Sequence, residues 1–164
     1  RMPPHLLPQL IFVPFPLKQG QFIKVLAACD VNLEPFPFPA SVTSLDSFLS
    51  DTPVVALSPP SSSFSSAVPR LTASLYGLMA RDRKEHHAHH NTAPPPSVTT
   101  SWVADSCVAQ TPEAYVDMAL RLASNKTLLA QTEAYIRRFK GPLFENRGAL
   151  MEWESFLASV HHQL

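Results

Sequence analysis

Proline constrains this chain most between residues 30 and 57. Pro35, Pro37 and Pro39 fall at alternate positions, and each removes a backbone donor and biases its predecessor to extended conformations, so Glu34 to Ala40 cannot be helix. Regular structure must lie on either side. Val31 to Leu33 reads as a short apolar strand before the run. After it, Thr43-Ser44-Leu45-Asp46 fits a capping box, a hydroxyl at the N-cap with an acid three residues later. The predicted helix carries Leu45, Phe48 and Leu49 and stops at Pro53, and Val54 to Leu57 follows as a run suited to a buried parallel strand.

A loop that leaves a strand and enters a helix is where open α/β sheets hold anionic ligands, because free N–H groups and the helix dipole point at the ligand. Ser41, Thr43, Ser44 and Asp46 suit a nucleotide diphosphate on that view. They also suit the simpler role of capping the helix and complementing its dipole. Local spacing leaves both readings open.

Elsewhere the same alternation recurs. Leu10 to Val13 reads as a first strand, and Phe22, Ile23 and Leu26 mark one face of a short helix. After the loop from Ser58 to Ser63, Leu71, Leu75, Leu78 and Met79 give a helix that covers the sheet. This rhythm is that of a doubly wound α/β domain. Thr111-Pro112 then opens a helix with Tyr115, Met118, Ala119 and Leu122 buried, which Asn125 ends. The next helix carries Leu128, Leu129, Thr132, Tyr135, Ile136 and Phe139 on one face, places Arg137, Arg138 and Lys140 near its C-terminus, and stops at Gly141-Pro142. In the last, from about Asn146, the stripe Leu150, Trp153, Leu157, Val160 and Leu164 predicts a docked helix, with Trp153 and Phe156 in the core.

Residues 81–101 turn to charge, His, Pro and Thr, including His86-His87-Ala88-His89-His90 and Pro94-Pro95-Pro96. Such composition buries too little apolar area to fold, and it predicts a disordered insertion. Clustered imidazoles bind metals, but a floppy tract fixes no geometry, so no metal site is expected. No G-x-S-x-G context occurs, which argues against a serine hydrolase.

Balanced charge, 13 basic against 13 acidic residues, gives no basic excess for nucleic acid or an acidic membrane. Two cysteines, Cys29 and Cys107, make neither a disulfide framework nor a zinc motif, and a reducing compartment, cytoplasmic or nuclear, is expected. The longest apolar runs fall short of a membrane span and Arg1 to Pro16 lacks the pattern of a signal peptide. Arg1 in place of Met leads us to expect a fragment or processed product.

Taken together, Leu10-Ile11-Phe12, Asp30 to Leu57, Tyr115-Val116, Ala119, Leu122-Ala123 and Pro142-Leu143-Phe144 follow in order a pattern that resembles the catalytic region of the O-linked N-acetylglucosamine transferases, glycosyltransferase family 41. The resemblance implies that residues 1–164 are part of a GT-B C-terminal domain, Rossmann-like and incomplete, with a helical segment at its end and the 81–101 insertion within it. It implies a protein glycosyltransferase that moves N-acetylglucosamine from UDP-GlcNAc to Ser or Thr hydroxyls, by inversion and without metal or other cofactor. The partners implied are the UDP-sugar, acceptor proteins, a missing N-terminal catalytic domain and an upstream tetratricopeptide array.

Carried across, the donor site comprises Pro16 and Lys18 at the base, Gln21 where animal enzymes place a His, Ser41, Val42 and Thr43 at the diphosphate, and Asp46 at the ribose hydroxyls. An acid suits a cis diol because its oxygens accept from both hydroxyls. No catalytic residue falls within this chain, so the isolated chain is expected not to turn over. Departures from the pattern are Pro39-Ala40 for a glycine-containing turn, Ser41 for His, Val42 for Thr, and Asp51 for the Gly at the helix end. A non-catalytic relative serving as an interaction module, and an O-fucosyltransferase of the Spindly type using GDP-fucose, are the alternatives.

Overall fold

Every residue of Val54–Leu57 is buried, as expected of a β-branched run with elements on both faces. The computed structural model describes residues 3–14, 16–60, 70–90 and 102–161. In it this run is the central strand, β2, of a three-stranded parallel sheet ordered β1-β2-β3. Its neighbours are β1 (Asn32–Leu33) and β3 (Val108–Ala109), in register Asn32↔Val54, Leu33↔Val55, Ala56↔Val108 and Leu57↔Ala109. The fold is thus mixed α/β, a small parallel sheet among many helices.

Parallel neighbours need crossovers, and helices supply them. Helix α1 (Gln19–Ala27) precedes β1, and α2 (Val42–Leu49) joins β1 to β2. Between β2 and β3 come α3 (Leu71–His90) and α4 (Trp102–Cys107). Four helices follow: α5 (Pro112–Ser124), α6 (Lys126–Phe139), the single turn α7 (Gly141–Phe144) and α8 (Arg147–His161). Capping chemistry sets the boundary between α5 and α6. Thr111 accepts from the Ala114 amide, and Asn125, which ends α5, accepts from the Leu128 amide and opens α6.

One core holds these layers. Phe48 of α2, Val54 and Val55 of β2, Tyr76 and Met79 of α3, Cys107 of α4, Leu122 of α5 and Ile136 of α6 are all essentially inaccessible, each large apolar side chain worth about 1.5–3 kcal/mol on burial. Tyr76 has a second task. Its hydroxyl accepts from the Val54 amide and donates to the Val54 carbonyl, both at 3.0 Å. Val54 turns those groups toward the β3 side, where β3 begins only opposite Ala56. The phenol stands in for the missing strand residue.

Several sequence expectations are corrected. Leu10–Val13 is not a strand: a 3-10 helix covers Pro4–Gln9, and the next residues are exposed and irregular, Ile11 at 88%. A strand needs a partner for its N–H and C=O groups, and none of the three described strands pairs with it. The predicted cap is displaced as well, since α2 begins at Val42 behind Ser41 and no side chain caps it. Helix α6 does end just ahead of Gly141-Pro142, at Phe139, and Gly141 then opens the single turn α7. Helix α3 continues to His90, into the segment expected to be disordered, while residues 91–101 lie outside the described residues.

The largest correction concerns α8. Leu150, Trp153, Phe156, Leu157 and Val160 are all exposed, so the apolar stripe is formed as predicted but lies outside the buried core. Trp153 stacks edge to face with Phe156 of its own helix at 5.8 Å.

Candidate functional site

The loop from Glu34 to Ser41 leaves the carboxyl end of β1 and delivers the chain to the N-terminus of α2, the end of a parallel sheet at which ligands bind in open α/β folds. Ser41 and Val42 are exposed there, and Thr43 and Asp46 half-buried. Ser41 takes φ 47 and ψ −102, a region in which a Cβ is strained and glycine is at ease. The positive φ of this loop thus falls on a serine.

The hydroxyls do not cap α2. Thr43 and Ser44 donate their amides to the carbonyls of Ala40 and Ser41, at 2.9 and 3.1 Å, closing the first turn by backbone bonds. Ser44 is fully buried and its Oγ donates to Glu34 Oε1 at 3.0 Å. Asp46 lies beyond the first turn, too far along to act as a dipole-complementing acid there. Free of capping duty, the Ser41 and Thr43 hydroxyls and the Asp46 carboxylate make no side-chain hydrogen bond among the described residues.

The second cluster of predicted residues lies before α1. Lys18 is its N-cap and Pro16 is exposed in the extended segment ahead. Gln21 is occupied locally, its Oε1 accepting from the Lys18 amide at 3.0 Å, the half of a capping box that a lysine N-cap permits, since Lys has no acceptor. Helix α1 packs on α2, with Thr52 Oγ1 donating to the Leu26 carbonyl at 2.9 Å. No hydrogen bond or ion pair among the described residues joins Lys18 or Gln21 to Ser41, Val42, Thr43 or Asp46. An apolar recess of about 490 Å³ lies beside this segment, lined by Val13, Pro14, Leu17, Gln19 and Phe22.

Sequence reasoning did not single out Glu34, Thr72 or Tyr115 as neighbours of the loop. Glu34 is 3% exposed and accepts from Thr72 of α3 as well as from Ser44. Tyr115 of α5 donates to the Glu34 carbonyl at 2.9 Å, and burial, then the Glu34 charge, push its phenol above the ordinary value. The one signal available was an acid placed directly before a proline run.

Among the described residues no three His, Cys, Asp or Glu side chains gather as metal ligands, and no helix is long and apolar enough to cross a membrane. The fold and the loop define a parallel α/β unit with an open loop-to-helix junction. Comparison with protein-family models, curated proteins and solved structures finds no match to the chain.

Proposed function

We propose that this chain is the donor-binding part of a protein O-N-acetylglucosaminyltransferase, a partial Rossmann-like GT-B domain that holds UDP-GlcNAc while the reacting groups come from another part of the enzyme. The observation that carries the reading is the junction at Ser41 to Asp46, where hydroxyls and a carboxylate not engaged in capping sit at the carboxyl end of a parallel strand. There the diphosphate meets Ser41, Val42 and Thr43, and Asp46 accepts from the ribose hydroxyls; Pro16 and Lys18 face the base. The family resemblance supplies the sugar and the acceptor, Ser or Thr of proteins, and a cytoplasmic or nuclear setting.

Two observations favour a second reading, a non-catalytic relative that serves as an interaction module. The Thr43 and Ser44 amides are already bonded within the chain, and the α8 stripe is exposed. Calorimetric titration with uridine diphosphate and then guanosine diphosphate separates the readings. Binding of the uridine compound that falls at least tenfold in Asp46→Ala supports the donor site. Preference for the guanosine compound favours a fucosyltransferase, and silence toward both favours the interaction module.

A further inference from the structure

Glu34 is a buried carboxylate with no cation beside it among the described residues. Burying a charge is costly unless hydrogen bonds replace its water. Here three donors do so, all on Oε1: the Ala40 amide at 3.3 Å, Ser44 Oγ at 3.0 Å, and Thr72 Oγ1. They come from the loop, from α2 and from α3. Ser44 and Thr72 are themselves 3.0 Å apart, but each hydroxyl has one proton, and a common carboxylate acceptor takes both. The backbone of Glu34 is pinned too, its amide donating to the Val55 carbonyl at 3.0 Å and its carbonyl accepting from Tyr115.

We propose that Glu34 is a positioning residue for the diphosphate loop: from a fixed place at the end of β1 it holds Ala40 to Ser44 in the turn that exposes Ser41 and Thr43, without itself touching the nucleotide. This rests on the donor-site reading above. Ala40 immediately precedes the strained Ser41, and the bond from its amide to Glu34 ties the entry to that turn to the end of β1. The acceptor matters and the charge does not. A carboxylate next to a diphosphate repels it, so the residue contributes through geometry against its own charge.

Two measurements test this, uridine diphosphate affinity by calorimetry and backbone amide exchange by NMR. Glu34→Gln keeps an oxygen acceptor and removes the charge, and should bind no more weakly than the unmodified chain. Glu34→Ala should bind at least tenfold more weakly, with exchange at Ala40 to Ser44 at least tenfold faster and β2 and α6 still protected. Equal losses in the Gln and Ala variants, or accelerated exchange spread through β2, would overturn the proposal. Should Glu34→Ala fail to fold, Thr72→Val, isosteric and lacking one donor, should show the same localised exchange, and its absence counts against the role. An unmodified chain silent toward uridine diphosphate refutes the donor site, whereas unchanged Ala40 exchange in Glu34→Ala refutes the Glu34 role, so the two failures appear in different measurements.

Discussion

Lys140 Nζ lies 2.7 Å from Asp51 Oδ1, joining the end of α6 to the residue that follows the α2 terminus. Arg137 Nε meets the other carboxylate oxygen at 2.8 Å, and Lys140 also donates to the Leu49 carbonyl at 2.7 Å. Asp51 has φ 67, the left-handed conformation for which glycine is the usual choice. Two cations from a distant helix converge on the acid that stands there. Burial raises the Asp51 pKa, but hydrogen bonds and charge from Lys140 and Arg137 outweigh it, and the net shift is below the ordinary 3.8.

It follows that this contribution is present above pH 3.8 and is lost as the pH falls through the lower folded value. Asp51→Asn keeps tolerance of positive φ and removes the charge. We expect it to cost about 1–2 kcal/mol at pH 7, since both ion pairs are lost and one is largely exposed. The gap between variant and parent should narrow as the pH falls below 3.8, as followed by urea unfolding at several pH values.

Ser41 carries backbone strain without a compensating cap, because its side chain bonds no amide of α2. Ser41→Gly should therefore stabilise the chain by about 1 kcal/mol, read as a shift in the urea midpoint. Ser41→Ala keeps the strain and loses no bond, so it should change stability by less than about 0.5 kcal/mol.

Alkaline pH should act through the core. Burial pushes the Cys107 thiol up to about 12 from 9.0 and the Tyr76 phenol well above 10.0. Both groups stay neutral in the folded chain while the unfolded chain ionises. Stability should be complete below pH 9 and fall as the pH rises from there toward 12. In Cys107→Ala the onset of that fall should move up toward pH 10, where tyrosine begins to ionise, and thermal melts across this range check it. Tyr76→Phe, which strands the Val54 amide and carbonyl, should cost about 1–3 kcal/mol at neutral pH.

Two helices predicted alike should respond oppositely to substitution. Ile136 of α6 is fully buried and Trp153 of α8 is 63% exposed. Ile136→Ala should cost about 2–5 kcal/mol, whereas Trp153→Ser should stay within about 0.5 kcal/mol. Iodide quenching of Trp153 fluorescence, measured by difference from Trp153→Phe, checks the exposure directly.

Much of the local order is legible in the residues. Pro35, Pro37 and Pro39 keep helix out of the loop, Val54 to Leu57 forms a buried parallel strand, and Thr111-Pro112 and Asn125 divide α5 from α6 as their side chains require. Those features depend on neighbours a few positions away. Strand β3, Val108–Ala109, was missed because it follows helix α4 directly, with no proline or turn residue to set it off as the proline run sets off β1, and its pairing depends on the edge that β2 offers.

What the sequence determined by itself is where helices and turns are possible and which faces are apolar, since torsional freedom and side-chain period are local properties. Whether a face is buried was decided by the tertiary structure alone. The stripes of α6 and α8 read alike, yet only α6 meets the sheet layer, and Leu10 to Val13, apolar enough for a strand, finds no described partner. The candidate site divides the same way. Ser41, Thr43 and Asp46 were visible as residue types, but Thr72 lies 38 positions from Glu34, and only the fold puts its hydroxyl on that carboxylate.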